Sequence, residues 1–178
     1  YTAEDEAIDI PARLEELVAH LKEETERLGL PMPRFLMEPG RSIVADAGMT
    51  LYTVGSVKRI PGYKQYAAVD GGMTDNPRYA LYQSRYTVYH AHKSGSLERF
   101  DVVGRCCESG DIIQPGVELP GDTCRGDLLA VCTTGAYNYS MASNYNRLPR
   151  PAVVMLTPDR IYEAVRRETF ADLTALDL

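Results

Sequence analysis

Met49-Thr50-Leu51-Tyr52-Thr53-Val54-Gly55-Ser56-Val57-Lys58 is the stretch at which the chain changes character. It is rich in β-branched and aromatic residues, and it opens a series of short segments of the same kind at 66–69, 86–92, 100–103, 127–133 and 153–156. Turn signals separate them: Pro61-Gly62, Gly71-Gly72, Gly104, Pro115-Gly116, Pro120-Gly121 and Gly126. Many short strands punctuated by Gly and Pro predict an all-β unit, a sandwich or a barrel. A final helix is expected over 159–167, with Thr157 or Asp159 as its cap.

Upstream of Met49 the pattern is different. Leu14, Leu17, Val18, Leu21 and Leu28 recur at three- and four-residue spacing, so 9–28 reads as an amphipathic helix. Asp9 suits its N-cap, Pro11 fits its first turn, and Gly29 can close it in a left-handed conformation. Phe35-Leu36-Met37 predicts a short strand that is apolar on both faces, as in a buried parallel sheet. Residues 42–47 read as a short helix or turn ended by Gly48. One helix and one parallel-type strand cannot bury each other. Residues 1–47 therefore read as a closing helix-strand-turn segment of an α/β barrel, and 48–178 as a C-terminal β domain.

Composition narrows the function classes. A chain of 178 residues with 44% hydrophobic and 25% charged residues can bury a core, which excludes a disordered segment. Net charge is −6, and Arg147 and Arg150 are too few to make a basic patch, so no nucleic-acid partner is expected. Apolar runs are too short for a membrane span. The acidic start, Tyr1-Thr2-Ala3-Glu4-Asp5-Glu6, resembles no targeting peptide and lacks Met, so the chain is expected to begin inside a longer protein. Cys106, Cys107, Cys124 and Cys132 show no C-x-x-C spacing, and His90-x-His92 lacks a third ligand nearby, so no metal site is expected. The thiols read as reduced and the location as cytoplasmic.

Four motifs carry candidate chemistry. In Glu38-Pro39-Gly40-Arg41, an acid ends an apolar strand and a Gly-Arg corner follows. Such an acid could hold a protonated ring nitrogen, and Gly40 could bring its backbone N–H close to a phosphate. In Cys107-Glu108-Ser109-Gly110-Asp111, a thiol sits beside a carboxylate. Negative charge next door disfavours a thiolate, so the pair suits proton donation better than nucleophilic attack. The third stretch, 134–151, is a Tyr- and Asn-rich loop bounded by prolines. The fourth runs from Val69-Asp70-Gly71-Gly72 to Asn76-Pro77-Arg78-Tyr79-Ala80-Leu81-Tyr82, where Arg78 could offer a fork to a carboxylate. Taken singly, each motif also fits a plain turn, a solvated arginine or a packed loop.

Together, in this order, they resemble the C-terminal part of the diaminopimelate decarboxylase family, pyridoxal-phosphate-dependent decarboxylases of the alanine-racemase-like fold type. Gly135-Ala136-Tyr137, Asn144-Tyr145-Asn146-Arg147 and Cys107-Glu108-Ser109-Gly110-Asp111 carry most of the resemblance. It implies a mainly β chain with flanking helices: a β-barrel or sandwich C-terminal domain preceded by the final α/β piece of a (β/α)8 barrel. It implies pyridoxal 5'-phosphate as cofactor, an amino-acid substrate and a homodimer with shared active sites. By the resemblance, Glu38 would hold the pyridine nitrogen, Gly40 and Arg41 the phosphate, and Tyr137 both cofactor and substrate. Arg41, Arg78 and Tyr82 would contact substrate, Arg78 and Tyr82 at its distal carboxylate, with Glu108 at its distal ammonium. Cys107, from the partner subunit, would return a proton after CO2 leaves. The family converts meso-diaminopimelate to L-lysine. Its Schiff-base lysine has no counterpart here, since Lys58, Lys64 and Lys93 lie outside that lysine's sequence context, so this chain alone is expected to be inactive. Two alternatives stand: a relative acting on ornithine, arginine or carboxynorspermidine, and a non-catalytic partner-binding β module.

Overall fold

The computed structural model describes Thr2 and residues 4–178. The chain divides into two compact units, one ending at Pro39 and the other running from Gly40 to Leu178. In the first unit, helix α1 spans Ile10–Leu28. Asp9 caps it through a 3.0 Å hydrogen bond from the Ala12 N–H, and Gly29 ends it at φ 68°. None of its residues is fully buried, and Leu17 and Leu28 are exposed. The expected strand at 35–37 does not form. Phe35, Leu36 and Met37 are exposed and irregular, because a strand exists only against a neighbour and no strand among the described residues pairs with this segment.

The second unit begins with helix α2 (Arg41–Val44), which runs into a 3-10 turn at Ala45–Ala47. The strands are β1 (Met49–Arg59), β2 (Gln65–Val69), β3 (Val88–His90), β4 (Leu97–Val103), β5 (Ile112–Pro120) and β6 (Leu128–Cys132). They form one sheet in the order β3-β6-β1-β2-β4-β5. All neighbours are antiparallel except β2 and β4. Helix α3 (Arg78–Tyr82) lies in the long crossover that this parallel pair requires. The sheet curls until its edges β3 and β5 lie against one another, nearly closing a barrel. The Tyr86 N–H donates to Gln114 Oε1 at 2.9 Å across that seam. Alternate residues point inward: Tyr52 and Val54, Ala67 and Val69, Phe100 and Val102, Leu129 and Val131 are all buried. Each large side chain among them contributes about 1.5–3 kcal/mol through its removal from water.

Two sequence expectations are corrected here. Pro115-Gly116, read as a turn, lies inside β5. The register steps from Phe100↔Val117 to Val102↔Gln114, so β5 carries an extra residue opposite Asp101. Pro115 has no N–H for a ladder, and Gly116 takes φ 68° while donating its N–H to Asp101 Oδ1 at 2.8 Å. The expected helix at 159–167 is instead strand β8 (Ile161–Val165), antiparallel to β7 (Val153–Leu156). The Thr157 N–H donates to Arg160 O at 3.0 Å, a turn that returns the chain along β7 and gives β8 a ready partner. The last helix is α4 (Phe170–Thr174), capped by Thr169 and Asp172.

At the far side of the sheet, Asp127 ties three segments together. It accepts from Lys93 Nζ at 2.7 Å and the Cys124 N–H at 2.8 Å, and His90 Nε2 lies 3.1 Å away. His90 Nδ1 accepts from the Lys93 N–H at 2.9 Å, so Nε2 is the nitrogen that faces the carboxylate with a proton. Burial works against ionised Asp127, yet the hydrogen bonds from Lys93 and the Cys124 N–H, with His90 close by, hold its pKa well below the usual carboxylate range. A depressed folded-state pKa means that this stabilisation is complete above the unfolded value of 3.8 and is lost as pH falls toward the folded one. Asp127→Asn should lower Tm by about 3–8 °C near neutrality, and its Tm should fall less steeply than the parent's from about pH 5 to about pH 2. Parallel Tm profiles for the two proteins would contradict this account.

Candidate active site

Strand directions explain why distant motifs meet. β2, β4 and β6 run one way, and β1 runs opposite to both β2 and β6. The segments that follow β2, β4 and β6 and the segment that precedes β1 therefore share one end of the barrel. These are the Gly71–Tyr82, Gly104–Asp111, Thr133–Pro151 and Gly40–Gly48 stretches, which hold the candidate residues from Gly40 onward. Backbone bonds lace them together. The Gly135 N–H donates to Ala45 O at 3.0 Å, the Arg105 N–H to Gly71 O at 3.1 Å and the Ser143 N–H to Thr74 O at 2.8 Å.

At this end Tyr137 is the centre of a charged aromatic cluster. It takes a left-handed backbone conformation, φ 72°, rare for a side chain of its size, and its ring is partly exposed. The Arg41 guanidinium lies 5.4 Å from the ring centroid and that of Arg78 lies 5.0 Å away. Arg78 also sits 4.6 Å from the exposed ring of Tyr82. Both distances to Tyr137 fall within cation–π range. Arg78 Nη1 approaches Met141 Sδ at 3.8 Å, while Arg78 Nε is buried without a protein partner. Two guanidiniums around one phenol make an electropositive surface that suits a phosphate or a carboxylate. Gly40 forms the N-cap of α2 with no side-chain hydrogen bond capping it, and a Cβ at this position would lie 2.5 Å from Tyr137 Oη. A side chain there would push the phenol aside.

Cys107 and Glu108 stand on the loop after β4 and line a different hollow, of about 330 Å³, with Lys64, Tyr66, Ser109 and Ile112. Cys107 is exposed, at φ 52°, while Cys106 is fully buried. Burial, and then the neighbouring Asp111 carboxylate, push the Cys106 thiol pKa up. Glu108 Oε1 accepts from the Gly110 N–H at 3.1 Å and from Ser109 Oγ at 3.3 Å. Glu38 is exposed in the irregular segment that ends the first unit. Arg41, Arg78, Tyr82 and Tyr137 thus form one group, and Cys107 and Glu108 a second.

Sequence reasoning missed the supports of these groups. Tyr52 Oη donates to Asp75 Oδ2 beneath the Gly71–Asn76 turn. Burial and then the Asp75 charge hold the Tyr52 pKa well above its ordinary value, and burial likewise raises that of Asp75. Met141, against Arg78, was likewise passed over. The residues of each pair are far apart in the chain, so no local spacing could have joined them. Among the described residues no cluster of three or more His, Cys, Asp or Glu side chains is placed to hold a metal, and no helix is long and apolar enough to cross a membrane.

Comparison with known proteins shows the family. Residues 9–135 match the family model described as pyridoxal-dependent decarboxylase, C-terminal sheet domain. The diaminopimelate decarboxylase of Bacillus subtilis (strain 168) is 49% identical over 100% of this chain, which spans 41% of that relative. The diaminopimelate decarboxylase of Staphylococcus aureus (strain COL) is 40% identical over 99% of this chain, which spans 42% of it. A crystal structure of the M. jannaschii diaminopimelate decarboxylase, in co-complex with L-lysine, superposes with TM-score 0.86 at 32% identity, covering 98% of this chain and 40% of that one. The chain therefore spans less than half the length of these relatives. It belongs to the pyridoxal-dependent decarboxylases and carries their C-terminal sheet domain.

Proposed function

We propose that this chain is the C-terminal portion of a pyridoxal 5'-phosphate-dependent decarboxylase that converts meso-diaminopimelate to L-lysine and CO2. The observation that carries the reading is the pair of guanidiniums, Arg41 and Arg78, on the single ring of Tyr137. The residues present fit the cofactor. Gly40 is the N-cap of α2 with no side-chain hydrogen bond there, the Tyr137 hydroxyl lies against it, and Arg41 adds a positive charge beside it. Gly40 N–H and Arg41 would hold the phosphate, Glu38 would hold the ring nitrogen, and Tyr137 would contact cofactor and substrate together. When bound, the cofactor supplies the electron sink that decarboxylation requires.

The substrate follows from charge. The far end of diaminopimelate carries a carboxylate and an ammonium together, so its pocket needs a cation and an anion. Arg78, with Nε unpartnered, would grip the carboxylate beside Tyr82. Glu108 would take the ammonium. A substrate ending in an ammonium alone leaves Arg78 unmatched, which disfavours it. Cys107, exposed beside Glu108, would deliver the proton that replaces CO2, reaching across from the partner subunit of a cytoplasmic homodimer. In this reading residues 1–47 close the cofactor-binding barrel and 48–178 form the β domain.

No lysine of this chain is expected to carry the cofactor. Lys64 Nζ donates to Asp101 Oδ2 at 2.6 Å and Lys93 Nζ to Asp127 Oδ2 at 2.7 Å, and each hydrogen bond raises the lysine's pKa. The purified 178-residue chain given pyridoxal 5'-phosphate and meso-diaminopimelate should release no CO2 above a protein-free control, and release above it would contradict this assignment. In the full-length enzyme, Arg78→Ala should raise KM for meso-diaminopimelate about 10- to 100-fold, the loss expected of a charged hydrogen bond worth about 1.5–3 kcal/mol. An unchanged KM, or turnover of ornithine that rivals diaminopimelate in the unsubstituted enzyme, would refute the substrate assignment.

A further inference from the structure

The proposed reaction employs Cys107 and Glu108 and leaves Asp111 of the same motif without a task. The Asp111 side chain is 5% exposed. Its Oδ1 accepts from the Met73 N–H at 2.6 Å, and its Oδ2 accepts from the Cys106 N–H at 2.6 Å. One carboxylate thus bridges the turn after β2 and the loop after β4. The loop closes on itself around that bridge, since the Gly104 N–H donates to Asp111 O at 2.9 Å and the Asp111 N–H to Glu108 O at 3.0 Å. Among the described residues no Lys or Arg forms an ion pair with Asp111, so backbone dipoles meet its charge. Gly72 and Gly104 wall the carboxylate. A Cβ at Gly72 would stand 2.6 Å from Oδ1, and one at Gly104 would overlap Oδ2.

The local chain path follows from this. The Cys106 N–H points in at Asp111, and the Cys106 side chain is buried with Sγ 3.9 Å from Thr74 Oγ1. Asn146 Nδ2 donates to the Cys106 carbonyl from the Thr133–Pro151 loop. The chain must then reverse within a few residues to bring Asp111 back. Cys107 makes that reversal at φ 52°, a conformation that side-chain-bearing residues rarely adopt and that persists only where the surroundings impose it.

We infer that Asp111 is a positioning residue: its carboxylate ties the turn leading to Arg78 to the Cys107–Glu108 loop and holds Cys107 in the left-handed conformation that leaves its thiol exposed. The catalytic value of this placement rests on the function proposed above, whereas the tie itself does not.

A double-mutant cycle on the 178-residue chain tests the tie. Glycine takes a positive φ without strain. Asp111→Asn should lower Tm in both backgrounds, and by clearly less in the parent chain, where a released Cys107 recovers its strain, than in a Cys107→Gly background, which has no strain to recover. In the parent background, amide exchange at Met73 and Cys106 should quicken together, each at least tenfold. Asp111→Glu should not restore either, because the two glycine walls leave no space for a longer side chain. An equal Tm loss in both backgrounds overturns the inference, as does exchange that quickens at only one of the two amides. Should Asp111→Asn fail to fold, Cys107→Gly alone decides: Tm should rise by about 1–4 °C as strain is relieved, and an unchanged or lower Tm refutes the role. Absence of decarboxylase activity in the unsubstituted full-length enzyme would strike the proposed function and leave this cycle to decide the tie by itself.

Discussion

The parallel pairing of β2 with β4 constrains everything else in the Gly40–Leu178 unit. In an all-antiparallel meander, successive loops alternate between the two ends of a barrel. Here the β2–β4 pair breaks that alternation, and the segments after β2, β4 and β6 emerge together. The crossover that a parallel pair demands is long enough to hold α3, which is where Arg78 and Tyr82 stand. Register is pinned by the core, because a one-residue slip of β2 would turn Ala67 and Val69 outward and leave the buried Phe100 and Val102 without neighbours.

The site end of the barrel carries strain that the core end does not. Cys107 and Tyr137 both hold positive φ, at about 1–2 kcal/mol each for residues with a Cβ. Burying the Asp111 carboxylate costs several kcal/mol more before its hydrogen bonds form. Two charge-assisted bonds of about 1.5–3 kcal/mol each offset most of that cost, and the core strands, at about 1.5–3 kcal/mol for each large buried side chain, supply the remainder. Arg41 and Arg78 both face the ring of Tyr137, and each such contact returns only about 0.5–2 kcal/mol.

Much of the architecture was legible in the chain, and the failures have physical causes. Asp9 and Gly29 marked both ends of α1 because capping is a local matter. Alternation and turn residues located β1, β2, β3, β4, β6 and β7. β5 was hidden because Pro115-Gly116, a turn signal in most contexts, here forms a bulge whose N–H is satisfied by Asp101. Ile161 and Val165 fit a helix as well as a strand, and only the return along β7 decides between them. The segment at 35–37 has the composition of a buried strand, but composition cannot supply the neighbour it would pair with. The cluster around Tyr137 was legible only through family resemblance, since Arg41, Arg78 and Tyr137 are drawn from three separate loops. Asp111 was quoted as part of a motif, yet nothing in its spacing shows that Gly72 and Gly104 are small in order to hold it.

The residues proposed to meet substrate stand on loops that leave neighbouring strands. Arg78 follows β2, and Cys107 and Glu108 follow β4. These loops could in principle move independently, because the parallel ladder beneath them is short, from Tyr66↔Asp101 to Ala68↔Val103. The bridge through Asp111 removes that freedom at the point where the ladder ends, with Met73 on one side and Cys106 on the other. If Cys107 serves the partner's site while Arg78 serves its own, as proposed, the same carboxylate lies between the grip of one site and the proton donor of the other. Loosening it would then disturb both sites of the dimer at once, which makes a buried acid with no contact to substrate as consequential as the residues that touch it.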